Sequence, residues 1–398
     1  MKFVEEPTVR TKQMTMLLVL GVILIGSNLR APLTAVGSLI VQIQGDLAIS
    51  SALAGAITTI PLLAFAFLSP FAPKLANRFG MEHAIFYAMI ALTAGIVIRS
   101  IPSVPLLFAG TLLIGLAIAI GNVLIPAFIK MRFPAKIGVM TGVYAVFMNV
   151  FGALASGISV PLANWKGFGW QGALGAWAIL SFIAILIWLP QLKAKDELNI
   201  DAKQTKSSSM WRSKIAWSVT LFMGTQSLLF YTLMTWLPSL LQQHHYSAEK
   251  AGWMLFLMQF TIVPFTFIVP IIAGKMKDQR LLSVITALFF AVGIVGLLSN
   301  NSALIPLWVI LIGIGSGSAF SLSMMFFTLR TTTVRQASEL SGMAQSFGYL
   351  VAATGPVLFG KLYDVFGAWD APLYLLLGCS AFLVFVGWQA SRDRLIPQ

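Results

Sequence analysis

The sequence predicts an all-α membrane protein: twelve transmembrane helices forming two pseudo-symmetric six-helix bundles. Three observations carry that prediction. Of the 398 residues, 58% are hydrophobic and 10% charged, whereas a soluble domain carries about a quarter charged residues. With a mean hydropathy of +0.87, this much apolar surface cannot be hidden in a water-soluble core. The apolar residues also fall into twelve runs of bilayer-crossing length, and the chain repeats part of its own pattern at an offset near 200 residues.

These features set aside a soluble enzyme, a disordered chain, a coiled coil and a disulfide scaffold. Cys379 is the single cysteine, so neither an intramolecular disulfide nor a cysteine metal cluster is possible. The histidines are His83, His244 and His245. No metal and no cofactor are expected. A net charge of +13 would suggest nucleic acid for a soluble protein. Here the basic residues sit in short loops between apolar runs, so the expected partner is a lipid bilayer and not nucleic acid. The first apolar run is too long for a signal-peptide core and lacks a small-residue cleavage site.

A bilayer-crossing helix needs ~20 mainly apolar residues. Span one lies near 14–41 and is interrupted by Asn28-Leu29-Arg30-Ala31-Pro32. Span two (52–74) opens at Ser50 and ends at Lys74; span three (84–101) follows a short basic loop. Spans four (104–130) and five (137–162) flank Lys130, Arg132 and Lys136, and span six (171–191) ends the first half. Residues 192–212, with Lys193, Asp196, Glu197 and three consecutive serines, read as a linker between an N-terminal bundle (1–191) and a C-terminal bundle (213–398). Spans seven to twelve lie near 213–241, 251–274, 281–299, 303–328, 340–361 and 371–391. The runs are too long for barrel strands and do not alternate, so they are helices.

Orientation follows from Lys and Arg. Twenty-one of the 26 fall on the side that holds both termini, four (Arg99, Lys166, Lys250, Lys361) fall on the other, and Arg30 is left over. The expected arrangement is a multi-pass protein of the cytoplasmic membrane with both termini in the cytoplasm.

The halves match in order. Ile114-Gly115 of span four corresponds to Ile314-Gly315 of span ten, and Lys130 to Arg330. Gly142 and Phe147 of span five correspond to Gly342 and Phe347 of span eleven. Span two opens with Ser50 and then Ala54-Gly55; span eight opens with Ser247 and then Ala251-Gly252.

Parallel six-helix repeats are the plan of major facilitator transporters, and the chain resembles that superfamily over its whole length. Its loop Pro73-Lys-Leu-Ala-Asn77-Arg78-Phe-Gly80-Met81-Glu82 is similar to the superfamily's G-x-L-A-D-R-x-G-R-K motif, with Asn77 where the motif has Asp. The second-half counterpart, Gly274 to Arg280, keeps the Gly and an Asp, Asp278. The resemblance implies that Arg78, Gly80, Asp278 and Arg280 act in gating between the halves, and the missing Asp leaves the first-half charge latch open to question. Asn28-Leu29-Arg30-Ala31-Pro32-Leu33-Thr34-Ala35-Val36-Gly37 resembles the N-L-R-P-x-L-T-x-V-G stretch of the cyanate porter family. That family includes cyanate and 2-nitroimidazole transporters.

Every Asp and Glu lies in a loop or near a span end, and Arg30 alone lies well inside a span. A cation there costs roughly 2.5–3.5 kcal/mol on insertion scales, and no carboxylate at mid-depth offsets it. One reading has Arg30 facing a central cavity, where its planar fork binds an anion. The other has it snorkelling outward or bonding main-chain carbonyls. Pro32 cannot donate to the Asn28 carbonyl, so the helix should bend there, and irregular backbone at depth is tolerated where it lines a cavity. In the facilitator plan, neutral polar residues of other spans could share a substrate with Arg30. Asn28, Asn149, Gln226, Tyr231, Gln345 and Tyr349 are the favoured candidates, with Pro32 as a conformational residue. Interhelical hydrogen bonding is the alternative for each of them.

No embedded Asp, Glu or His offers a proton relay. No H-E-x-x-H, P-loop or G-x-S-x-G marks an enzyme. The sequence thus predicts a monomeric secondary transporter that moves a small anion or polar nitro-type solute by alternating access, with Arg30 as its anchor. The alternatives are a multidrug-type efflux carrier of the same superfamily and, in a different class, an anion channel.

Overall fold

The computed structural model describes residues 9–193, 210–299, 302–332 and 334–396. Most of the expected linker and both extreme termini lie outside the described residues. Among those described, the secondary structure is helical with no strand. Span one is two helices, α1 (Val9–Asn28) and α2 (Ala31–Leu47), and span two is α3 (Ser51–Leu68) and α4 (Ala72–Phe79). Then come α5 (Met81–Arg99), α6 (Val104–Arg132) and α7 (Ile137–Asn164). Span six divides into α8 (Gly169–Gly175) and α9 (Trp177–Trp188). The second half comprises α10 (Lys214–Gln243), α11 (Ala248–Lys275), α12 (Arg280–Leu298), α13 (Ile305–Leu329), α14 (Val334–Phe366) and α15 (Asp370–Ala390). Twelve crossings in two bundles result. Span one runs on to Leu47 and span eleven covers Val334–Phe366, both longer than hydropathy alone indicates.

Ten of these crossings are long and apolar enough to span a membrane by composition; α10 and α14 are not among them. The reason is where they sit. α10 is buried over most of its length and carries Thr220, Gln226, Ser227, Thr232 and Thr235 into the protein interior. A helix walled by other helices need not be as apolar as one that faces lipid. The repeat is visible in the caps. Ser50 Oγ accepts from the Leu53 N–H and Ser247 Oγ from the Lys250 N–H, each at 3.2 Å, so spans two and eight start with the same device.

Span one breaks where its proline requires it. α1 ends at Asn28, α2 begins at Ala31, and Arg30 is the N-cap of α2 with φ −125° and ψ −39°. Pro238 does not break α10. It still deprives Met234 of its i+4 donor, and α2 passes close to that carbonyl: a side chain at Gly37 would run into the Met234 oxygen. The bundles thus meet backbone to backbone at this point.

Other contacts between the halves cluster at the same end, opposite the termini. Asp364 of α14 accepts from the Ser51 and Ala52 N–H groups at the start of α3, at 3.0 and 2.9 Å. Thr58 Oγ1 donates to Thr235 Oγ1 at 2.8 Å, Thr59 Oγ1 donates to the Ala353 carbonyl at 2.6 Å, and Gln259 bonds Ser156. At the termini end the halves are parted by a cleft of about 500 Å³, with Pro73 and Val123 on one wall and Trp211, Gly342 and Gln345 on the other.

Candidate functional site

Arg30 faces the space between the bundles. Its hydrogen-bond partner is a side chain of the same bundle and not a main-chain oxygen. Its Nη1 donates to Asn149 Oδ1 of α7 at 2.9 Å, and its guanidinium carbon lies 4.7 Å from the centre of the Phe230 ring on α10, within cation–π range. Asn149 is held in turn by its own Nδ2, which donates to the Ala145 carbonyl at 2.8 Å. The methylenes of Arg30 lie against Gly152, where an added Cβ would stand 2.9 Å from Arg30 Cγ. Glycine is therefore required there by close approach. Among the described residues no carboxylate pairs with Arg30.

Two adjoining cavities of about 260 and 50 Å³ share Arg30, Tyr231, Phe320 and Tyr349 as walls. Asn149 and Gln226 line the smaller; Gln345 lines the larger and also the cleft that opens at the termini end. Tyr231 and Tyr349 stand with ring centres 6.5 Å apart, and Phe65 packs on Tyr349 at 5.5 Å. Gln226 Nε2 donates to Ser227 Oγ at 2.7 Å and Gln345 Nε2 to Ser341 Oγ at 2.9 Å. The structure thus brings together Arg30, Asn149, Gln226, Tyr231, Gln345 and Tyr349. Asn28 is placed apart. It is fully buried, its Nδ2 donates to the Leu24 carbonyl at 2.8 Å, and it lines neither cavity.

Sequence reasoning left out several walls of this site. Phe230, Phe320, Thr266 and Ser316 line it; Tyr144 and Asn122, polar groups near mid-depth in the sequence but not among the favoured candidates, close the larger cavity. Phe230 and Phe320 carry no signal in a Phe-rich membrane protein. Tyr144 lies on the same helix as Asn149, and only the rotation of α7 shows that both point inward.

Arg30 is also not alone among buried cations. Arg99, counted with the loops by its place in the sequence, has no exposed surface. Arg330 is buried too, but it is fully engaged: its Nε donates to the Ala390 carbonyl at 2.8 Å, and it bonds Gln279 and the Ser391 carbonyl.

The residues expected to gate sit at the termini end and do not bridge the halves in this conformation. Arg78 is exposed and lies over its neighbour Phe79, 5.2 Å from the ring centre. Gly80 joins α4 to α5 with φ +85°, a left-handed conformation that favours glycine. Asp278 pairs with Arg280 two residues on, at 2.6 Å, and these hydrogen bonds hold the Asp278 carboxyl below its ordinary range. In place of the missing motif Asp, the first half has a buried Glu82 bonded to Arg132 at 2.7 Å, joining α5 to α6 within one bundle.

Residues 17–356 match the Major Facilitator Superfamily model. The chain is 45% identical over 382 residues to the uncharacterized transporter YycB of Bacillus subtilis, covering 96% of this chain and 95% of that one. It is 42% identical over 380 residues to the 2-nitroimidazole transporter of Escherichia coli, covering 95% and 96%. It is 26% identical over 353 residues to the cyanate transport protein CynX of the same organism, covering 88% and 91%. The crystal structure of the nucleoside transporter NupG shares the fold with a TM-score of 0.74 at 16% identity, covering 94% of this chain and 98% of that one. A duplicated twelve-crossing architecture, a cavity between its bundles and these similarities together place the chain among the transporters of the Major Facilitator Superfamily, of the cyanate and nitroimidazole porter type, and not among enzymes.

Proposed function

We propose that the protein is a monomeric secondary transporter that moves a small anion or a polar nitro-type solute across the cytoplasmic membrane by alternating access. The observation that carries this reading is Arg30: a cation without a carboxylate mate among the described residues, held at the wall of a cavity shared by both bundles. A guanidinium presents five donors, and Asn149 takes one of them, from Nη1. The rest suit a flat acceptor group such as a carboxylate, a nitro group or nitrate, which a planar fork grips more selectively than an ammonium does; a linear anion such as cyanate would take them end-on. Tyr231, Tyr349 and Phe230 supply flat aromatic walls for a planar solute. Similarity to a 2-nitroimidazole transporter and to a cyanate transport protein supports the same class of cargo.

In this reading the bundles 1–191 and 213–398 rock about the central site on the linker 192–212, with both termini in the cytoplasm. The conformation with its cleft open at the termini end is then inward-facing. The 21 basic residues predicted on the termini side support that orientation.

The test is uptake into proteoliposomes of cyanate, nitrate, short carboxylates and 2-nitroimidazole, with wild type and Arg30 variants side by side. Hydrogen bonds to a charged group contribute about 1.5–3 kcal/mol each, so losing the fork should cut transport of the true solute by about 100-fold or more. Arg30→Ala should do this without loss of folded protein, and Arg30→Lys should recover little. Wild-type uptake by the alanine variant, or an ohmic current in place of saturable flux, would sink the reading.

A further inference from the structure

Arg99 is the second buried cation of the first bundle, and nothing in the central site uses it. It ends α5 at the end of the molecule away from the termini, yet it has no exposed surface. Its side chain turns inward along span one. Nη1 donates to the Pro32 carbonyl at 2.8 Å. Nε and Nη2, fully buried, have no hydrogen-bond partner among the described residues, and no carboxylate among them pairs with the group. Of the five N–H donors one is used, and the three on Nε and Nη2 sit on atoms with no partner at all. A guanidinium has no acceptor atom, so only an acceptor or an anion can satisfy them.

The space beside Arg99 is a cavity of about 10 Å³, room for about one water. Its walls come from both halves. Leu33, Thr58 and Phe65 belong to the first bundle, Tyr231 and Met234 to the second. Thr58 Oγ1 donates to Thr235 Oγ1 at 2.8 Å, since the Thr235 proton goes to the Tyr231 carbonyl at 2.7 Å, so the Arg99 donors have no hydroxyl competing for an acceptor in this space. Leu33, Phe65, Tyr231 and Met234 also line the larger central cavity. The two spaces thus lie in series, and Arg99 stands beyond Arg30 toward the far end, since α2 runs that way from Arg30. When the bundles part at that end, Tyr231 and Met234 withdraw with the second bundle and leave Arg99 uncovered.

We propose that Arg99 is a second anion-binding station, which the solute meets from the far end before it reaches Arg30. The station is closed down to the size of a water in the present conformation and opens to solute in the opposite one. This rests on the reading of the protein as an anion transporter, and adds a residue from α5 to a path otherwise lined by other helices.

The test measures [14C]cyanate transport by the full chain in oriented proteoliposomes, with apparent KM determined separately from the far-end face and from the termini face. Arg99→Gln keeps a donor for the Pro32 carbonyl and removes the charge. It should raise KM about tenfold at the far-end face and change it less than twofold at the termini face. Arg99→Lys, which keeps the charge, should recover at least half of that loss. If Arg99→Gln folds poorly, Arg99→Lys alone keeps the test open, through a rise in far-end KM that the termini face does not share. Equal losses from both faces with lysine no better than glutamine would make Arg99 a brace for the break in span one and overturn the proposal. So would an unchanged KM at the far-end face, or a chain that does not transport cyanate. Arg30→Gln, run alongside, should lose transport from both faces. If it does not, the central reading fails whatever Arg99 shows.

Discussion

At the far end of the seam, Gly55 lies against the Pro356 carbonyl and Gly360 against that of Ser51, so a side chain at either would strike the opposite bundle's backbone. At the termini end, Gly342 has nothing within 4 Å of where its side chain would begin, and Gly142 has only Phe267 at 3.7 Å. These are matched positions of the internal repeat: Gly55 pairs with Gly252 in spans two and eight, and Gly142 with Gly342 in spans five and eleven. Gly252 is likewise in contact with the other bundle, 3.0 Å from its ideal Cβ to the Ser156 carbonyl. One pair of small residues is engaged and the other idle. Small residues let helix backbones approach closely, so a glycine with open space beside it in one conformation has its purpose in another.

That contrast can be broken most forcefully at the engaged end. Gly55→Leu cannot be accommodated against Pro356, so the far end should fail to close and transport should fall about 100-fold or more, a barrier change of roughly 2.7 kcal/mol. With Thr58→Cys added in a Cys379→Ser background, the new thiol should become reactive toward an impermeant reagent from that side. Silence of that thiol would argue against the far-end seam as the gate. Gly342→Leu makes the opposite case. It fits the present conformation and removes a helix glycine, which should stabilise the protein by about 0.8–1 kcal/mol, seen as a higher melting temperature. It should nonetheless slow transport about tenfold by obstructing closure of the termini end, while solute still binds from that face. Normal turnover would show that these helices never meet there. The smallest expected effect is at Asp364, whose carboxylate sits on the N-terminus of α3 across the seam. Such a charge at a helix terminus contributes about 0.3–1 kcal/mol, so Asp364→Asn should shift closure of the far end by about two- to fivefold in the same thiol assay.

Much of this was legible in the residues. Hydropathy and charge placement marked out the crossings and the repeat, and the Asn28–Pro32 stretch marked where span one breaks. Arg30 was legible because an arginine in an apolar run has few alternatives. Asn149, Tyr231, Gln226, Gln345 and Tyr349 were found as inward polar groups, whereas Asn28 turns back on its own helix. What escaped was whatever depends on helix rotation and side-chain direction. Arg99 stands at the end of a hydropathy run and reads as a loop residue, yet its long side chain reaches back to Pro32. The engaged and idle glycines are identical as letters; only the spacing between bundles distinguishes them. Spans seven and eleven read as apolar runs like the others, and why α10 tolerates its polar residues emerges only from its burial.

Those two helices carry a consequence for how the chain is made. Neither α10 nor α14 is apolar enough to qualify as a crossing by its own composition. They pack on each other at Gly224 and Gly348, where an ideal Cβ on Gly348 would stand 3.2 Å from the Gly224 nitrogen. α11, α12 and α13 lie between them in the chain, so the contact that shields the polar residues of α10 forms only after three further helices have been made.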